Sequence, residues 1–151
     1  ANNSSSSGGD SGSDESYVPP SSSGYTWPVP GYYYVISDFY DTEDRTSMHG
    51  AIDITGSGIY GKPIVAADSG KVIQGSIGGW GGGYGTYLVV DHGNGKSTLY
   101  AHMSGAAVSI GQTVSKGQVI GYVGSTGFST GAHLHFETRL YGQRYDPMTE
   151  F

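Results

Sequence analysis

The sequence predicts an all-β fold on three observations. No stretch carries apolar residues at the 3.6-residue period of a helix over several turns. Short runs of β-branched and aromatic residues recur instead, among 27 glycines and 13 tyrosines in 151 residues, a mixture that suits strands joined by tight turns. One pair of runs also flanks Asn94-Gly95, and both residues accept the positive φ that a two-residue hairpin turn requires.

Taken in order, residues 1–24 hold ten serines, four glycines and Pro19-Pro20, with almost nothing to bury, and read as a flexible linker. The ordered domain is expected over 25–151. Tyr32 to Ile36 forms a first strand ending at Ser37-Asp38, and the polar run Asp41 to Ser47 forms an exposed loop leading to His49. Ile52, Ile54 and Thr55 favour a second strand. Pro63 to Ala66 and Gly70 to Gln74 are two further strands joined by a turn at Ala67-Asp68-Ser69. The glycine-rich stretch 75–85 around Trp80 lacks the following Lys-Ser/Thr and helix of a phosphate loop, which leaves a groove wall or a hairpin tip. Thr86 to Asp91 and Ser97 to His102 make the Asn-Gly hairpin, with His92 exposed at its turn and His102 at the end of its second strand. Residues 108–124 are short strands broken by glycines. They resemble half of a lipoyl or biotinyl carrier barrel but lack the lysine setting for cofactor attachment. Residues 139–151 close the chain.

Composition removes several functional classes. Cysteine is absent, so there is no disulfide framework and no thiolate zinc site; any metal must be held by histidines and carboxylates. Net charge is −6, and three of the acids (Asp10, Asp14, Glu15) lie in the first 24 residues without a base, leaving ten acids against seven bases. That balance argues against nucleic acid as a partner, which calls for clustered Lys and Arg. No run of about 18 apolar residues spans a membrane, and if the protein is exported, its signal or anchor lies outside these 151 residues.

Chemistry concentrates in the histidines. In Gly131-Ala132-His133-Leu134-His135-Phe136-Glu137, strand geometry puts His133 and His135 on one face, with Cα atoms roughly 6–7 Å apart, close enough for both rings to serve one metal or one reacting group. His49 and Asp53 lie at i and i+4, about 13 Å apart if fully extended, so a shared role requires a bend, which Gly50 permits. Catalytic zinc usually takes three His or carboxylate ligands and leaves a fourth position for water. His49, Asp53 and one of His133 and His135 supply such a set, leaving one imidazole of the pair and His102 free for proton transfer.

His49-x-x-x-Asp53, Leu99-Tyr100-Ala101-His102 and Ser129 to Glu137, with Trp27-Pro28-Val29-Pro30-Gly31 and Lys116 to Gly121, resemble the signature of the lysostaphin-type (LytM-like) zinc endopeptidases over about residues 25–147. The resemblance implies His49, Asp53 and His135 as ligands of one Zn2+ per chain, and His102 and His133 as the residues flanking the catalytic water. It further implies a compact antiparallel β-structure with a loop-walled groove and, as substrate, the peptides of bacterial peptidoglycan. A secreted or cell-surface, monomeric bacterial peptidase is the expectation. The alternatives are a non-catalytic, zinc-containing wall-binding or hydrolase-activating module, and a metal-dependent small-molecule enzyme of jelly-roll type.

Overall fold

The computed structural model describes residues 24–42 and 47–151. The linker expected over 1–24 therefore lies, apart from Gly24, outside the described residues, as does much of the loop before His49. Ten strands follow: β1 (Tyr34–Ser37), β2 (Ile52–Thr55), β3 (Pro63–Val65), β4 (Gly70–Ser76), β5 (Thr86–Gly93), β6 (Lys96–Ala106), β7 (Thr113–Val114), β8 (Val119–Val123), β9 (Leu134–Leu140) and β10 (Gln143–Tyr145). Among the described residues the helical turns are two short 3-10 turns, at Gly81–Gly83 and Pro147–Glu150. No helix there is long and apolar enough to cross a membrane.

Every pairing between these strands is antiparallel, in the order β1-β2-β9-β6-β5-β4-β7, with β10 added to β9 and the pair β3-β8 joined to β6. The hairpin forms where the sequence places it, with Asn94 at φ 55° and Gly95 at φ 81° between β5 and β6. The two strands around Ala67-Asp68-Ser69 also form, but they do not pair with each other: β3 pairs with β8, and β4 with β5 and β7. The glycine-rich stretch is the connection of the β4-β5 hairpin.

Alternation along β9 gives the sheet two different faces. Leu134 and Phe136 are fully buried among Ile52, Ile54, Tyr100 and Ile120, and each such side chain contributes about 1.5–3 kcal/mol by leaving water. The segment before β1 closes this core, since Tyr25, Trp27 and Val29 are buried. The indole N–H of Trp27 donates to Tyr32 O at 2.6 Å, and its ring meets Phe151 edge-on. His135, Glu137 and Arg139 occupy the opposite face of β9. Beside them a smaller cluster of Val89, Leu99 and Ala101 lies under Tyr84 and Tyr87.

Two histidines depart from the sequence expectation. His92 is half-buried rather than exposed: its Nδ1 lies 2.8 Å from Ser69 O, its Nε2 2.8 Å from Thr98 Oγ1, and its ring packs on Tyr25. His102 lies inside β6, not at its end. There β6 exchanges partners, pairing with β9 as far as Ala101 and with β8 from Met103. At the switch His102 adopts φ 60°, a left-handed conformation uncommon for a residue with a Cβ. The kink interrupts strict alternation and lets the His102 ring join the face that carries His135, at a centroid distance of 5.6 Å.

Candidate metal centre

The site grows from one row of the sheet. Ser37, Asp53, His135 and Ala101 are register neighbours on β1, β2, β9 and β6, and residues opposite one another across a ladder point to the same side. His133, two residues before His135, shares that side and bridges Gly124. His49 arrives from outside the sheet through the bend at Gly50, where φ is 75°. The bend is pinned by backbone N–H donation from His49 to Asp41 O at 2.9 Å and from Gly50 to Phe39 O at 3.0 Å.

Asp53 Oδ1 is the centre of the cluster. His49 Nε2 and His135 Nδ1 each lie 3.3 Å from it, and His133 Nε2 lies 3.6 Å away. Donor atoms of His49, Asp53 and His135 all fall within 4.8 Å of one another. The rings of His102 and His133 are 4.9 Å apart, which sets His102 beside the group. Structure thus brings together all five residues singled out in the sequence.

The outer nitrogen of every ring explains what the inner one can do. His49 Nδ1 is 3.1 Å from Asp38 O, His102 Nδ1 is 2.7 Å from Thr126 O, and His133 Nδ1 is 2.8 Å from Gly131 O. A carbonyl oxygen only accepts, so each of these Nδ1 atoms carries the proton and each Nε2 turns a lone pair inward. His135 is reversed: its Nε2–H donates to Glu137 Oε2 at 2.9 Å and its Nδ1 faces Asp53. The three imidazole nitrogens that face Asp53 Oδ1, from His49, His133 and His135, and that oxygen repel one another unless something positive lies between them. That donor set, nitrogen and oxygen with no sulfur, suits zinc.

Electrostatics agree. Burial by itself would raise the Asp53 carboxyl, but the imidazoles of His135 and His49 against it outweigh burial and hold the group below the usual carboxylate range. Burial opposes protonation of His135 too, yet Asp53 at one nitrogen and Glu137 at the other raise its pKa; a divalent cation competes for the place of that proton. Burial, helped by the neighbouring imidazoles, pushes His102 down to about 4, so this ring is neutral near pH 7.

Sequence reasoning assigned no part to Glu137, Tyr84 or Thr126. Glu137 is wholly buried and accepts from His135, Tyr84 and Arg139. Thr126 supplies the oxygen that orients His102, and its own hydroxyl donates to Met103 O at 2.6 Å. The continued alternation His133, His135, Glu137, Arg139 was an available signal for Glu137. For Thr126, whose contribution is a backbone carbonyl, there was none.

Residues 47–147, which include all five side chains of the site, match peptidase family M23. The chain belongs to that family. This M23 chain is 42% identical over 102 residues to the DD-carboxypeptidase/endopeptidase Mpg of Neisseria meningitidis serogroup B, covering 68% of the chain and 22% of the relative. It is 40% identical over 87 residues to the murein hydrolase activator EnvC of Escherichia coli, covering 58% of the chain and 20% of EnvC. The chain thus spans about a fifth of the length of either relative. Among solved structures, a zinc-containing peptidase from Vibrio cholerae superposes with a TM-score of 0.71 at 32% identity, over 81% of this chain and 38% of that one. The catalytic domain of lysostaphin from Staphylococcus simulans superposes with a TM-score of 0.63 at 31% identity, over 78% and 89% respectively. The M23 fold and the lysostaphin-type resemblance stand together on these matches.

Proposed function

We propose that residues 25–151 are the catalytic domain of a zinc-dependent endopeptidase that hydrolyses peptide bonds in bacterial peptidoglycan, at the cell surface or beyond it. The observation that carries this reading is the orientation of the His49, His133 and His135 imidazoles around Asp53 Oδ1 with His102 beside them, each ring with its outer nitrogen on an oxygen. His49, Asp53 and His135 would hold the zinc. When bound, zinc supplies Lewis-acid polarisation of a carbonyl and a lowered pKa for water.

The chain's own groups account for the rest. His102 and His133 lie beside the trio whose donor atoms converge, and both present a bare Nε2. Either ring takes a proton from the attacking water and returns it to the leaving amine as general base and acid. Once protonated, the ring donates a hydrogen bond to the oxygen on which negative charge builds. Hydrogen bonds to Thr126 O and Gly131 O stop the two rings from turning their protonated nitrogens inward.

Kinship with EnvC makes a hydrolase-activating role the competing reading, which predicts stimulation of a separate hydrolase and no peptide products from the chain alone. Mass spectrometry of defined muropeptides incubated with the purified chain tests this. New peptide termini that disappear with a chelator and return with zinc support the proposal, and intact muropeptides refute it. His133→Ala is expected to abolish turnover with bound zinc still near one per chain. Loss of the zinc in that variant would show that the pair is divided the other way.

A further inference from the structure

We propose that Glu137, held between Tyr84 and Arg139, is the residue that positions His135 and sets how tightly the site binds its metal. This rests on the metal reading above. Glu137 follows the ligand strand's alternation by two residues and is wholly buried, where a carboxylate is tolerated only with its oxygens fully engaged. Both are engaged. Oε2 accepts from His135 Nε2–H at 2.9 Å and from the Tyr84 hydroxyl at 2.6 Å, while Oε1 accepts from Arg139 Nη2 at 2.6 Å and Nε at 3.0 Å. Arg139 Nη2 also reaches the Tyr84 hydroxyl at 3.4 Å, which closes the group into a ring of contacts.

A buried negative charge on the outer nitrogen of a ligand imidazole does two things. It fixes the tautomer, so that Nδ1 offers its lone pair towards Asp53, and it makes that lone pair a better donor. Among the described residues the outer nitrogen of His49 meets the Asp38 carbonyl and the Ser37 hydroxyl, each at 3.1 Å, rather than a carboxylate directly, so the two imidazole ligands are unequal and His135 is the stronger. Tyr84 extends the device. Its ring lies 5.5 Å from that of His135, and its carbonyl accepts the backbone N–H of His102 at 2.8 Å. One residue of the glycine-rich connection thus touches the metal ligand by its side chain and the proton-transfer residue by its backbone.

Zinc titration of the full chain against a chromophoric chelator, with melting of the metal-free protein followed in parallel, tests the assignment. Glu137→Gln keeps the shape and removes the charge, and a fall in zinc affinity of about 10- to 100-fold is expected. Tyr84→Phe removes one hydrogen bond and leaves the backbone in place, for an expected fall of about 5-fold at an unchanged metal-free melting temperature. A purely structural role would instead lower the metal-free melting temperature and leave the affinity of the folded protein unaltered, and that result overturns the proposal. Should Glu137→Gln fail to fold, Tyr84→Phe decides: wild-type affinity in that variant overturns the assignment and a several-fold loss supports it. Wild-type chain that binds no zinc would overturn the metal reading and this inference with it.

Discussion

Gly50→Ala is a small change whose consequences follow from the geometry of the bend. Position 50 has φ 75°, where an L-residue crowds its own carbonyl at a cost of about 1–2 kcal/mol. A methyl group there also meets the Arg144 guanidinium, 2.6 Å from Cζ and 2.8 Å from Nη1. That second contact is the weaker effect, because it involves the far end of an exposed, flexible side chain. If Arg144 swings away it gives up a 3.5 Å bond to His49 O and a 3.9 Å approach to Glu137, together worth no more than about 0.5–1 kcal/mol. Stability should therefore drop by about 1–2.5 kcal/mol in denaturant titrations, most of it from the backbone. Relaxing φ moves His49 Nε2 off its 3.3 Å separation from Asp53 Oδ1, so zinc affinity should fall as well, by about tenfold or more. The double variant Gly50→Ala/Arg144→Ala separates the causes: it should recover less than half of the lost stability. Full recovery, or a Gly50→Ala protein that matches wild type in both stability and zinc binding, would refute the reasoning.

Gly127→Ala should be more damaging, because its Cβ would sit 2.5 Å from Gly83 O and 2.7 Å from Gly85 Cα at φ 74°, backbone that has no rotamer to yield. We expect a loss of about 2–5 kcal/mol in urea melts and a lower kcat as Thr126 O withdraws from His102; a variant within about 0.5 kcal/mol of wild type would count against this. His92 should make stability depend on pH. Burial lowers its pKa from 6.5, so below about pH 6.5 the unfolded chain takes up a proton that the folded chain refuses, and stability falls as pH drops from there towards the folded value. Thermal melts of wild type and His92→Gln at pH 7.5 and 5.0 should show the gap between them narrowing in acid, whereas a constant gap would mean that His92 contributes no such dependence. Asp53→Asn removes the charge that faces three ring nitrogens and is expected to leave the chain without stoichiometric zinc by metal analysis.

Much of this architecture was legible in the residues, and the parts that were not share a cause. His133 and His135 fell on one face because the period of a strand is two, and Gly50 announced the bend that returns His49 to Asp53. Asn94-Gly95 gave the hairpin because few pairs tolerate its dihedrals. What escaped was non-local. Nothing in the order of residues says that β9 slots between β2 and β6, or that β6 changes partner at His102, where a histidine occupies a conformation normally left to glycine. His92 looked like a turn residue because its burial depends on Tyr25 and Thr98, and Glu137 looked like the end of a motif because its partners Tyr84 and Arg139 come from separate segments or from the same strand face beyond it.

The insertion of β9 bears on when the site can assemble. Strands β2 and β6 are made first, and they become neighbours of a common partner only after that late strand has been synthesised. A polypeptide growing from its N-terminus therefore carries His49, Asp53 and His102 before His135 exists, and the cluster around Asp53 stays incomplete until β9 has been made. A chain interrupted before β9 would expose the facing edges of β2 and β6 in place of the assembled cluster.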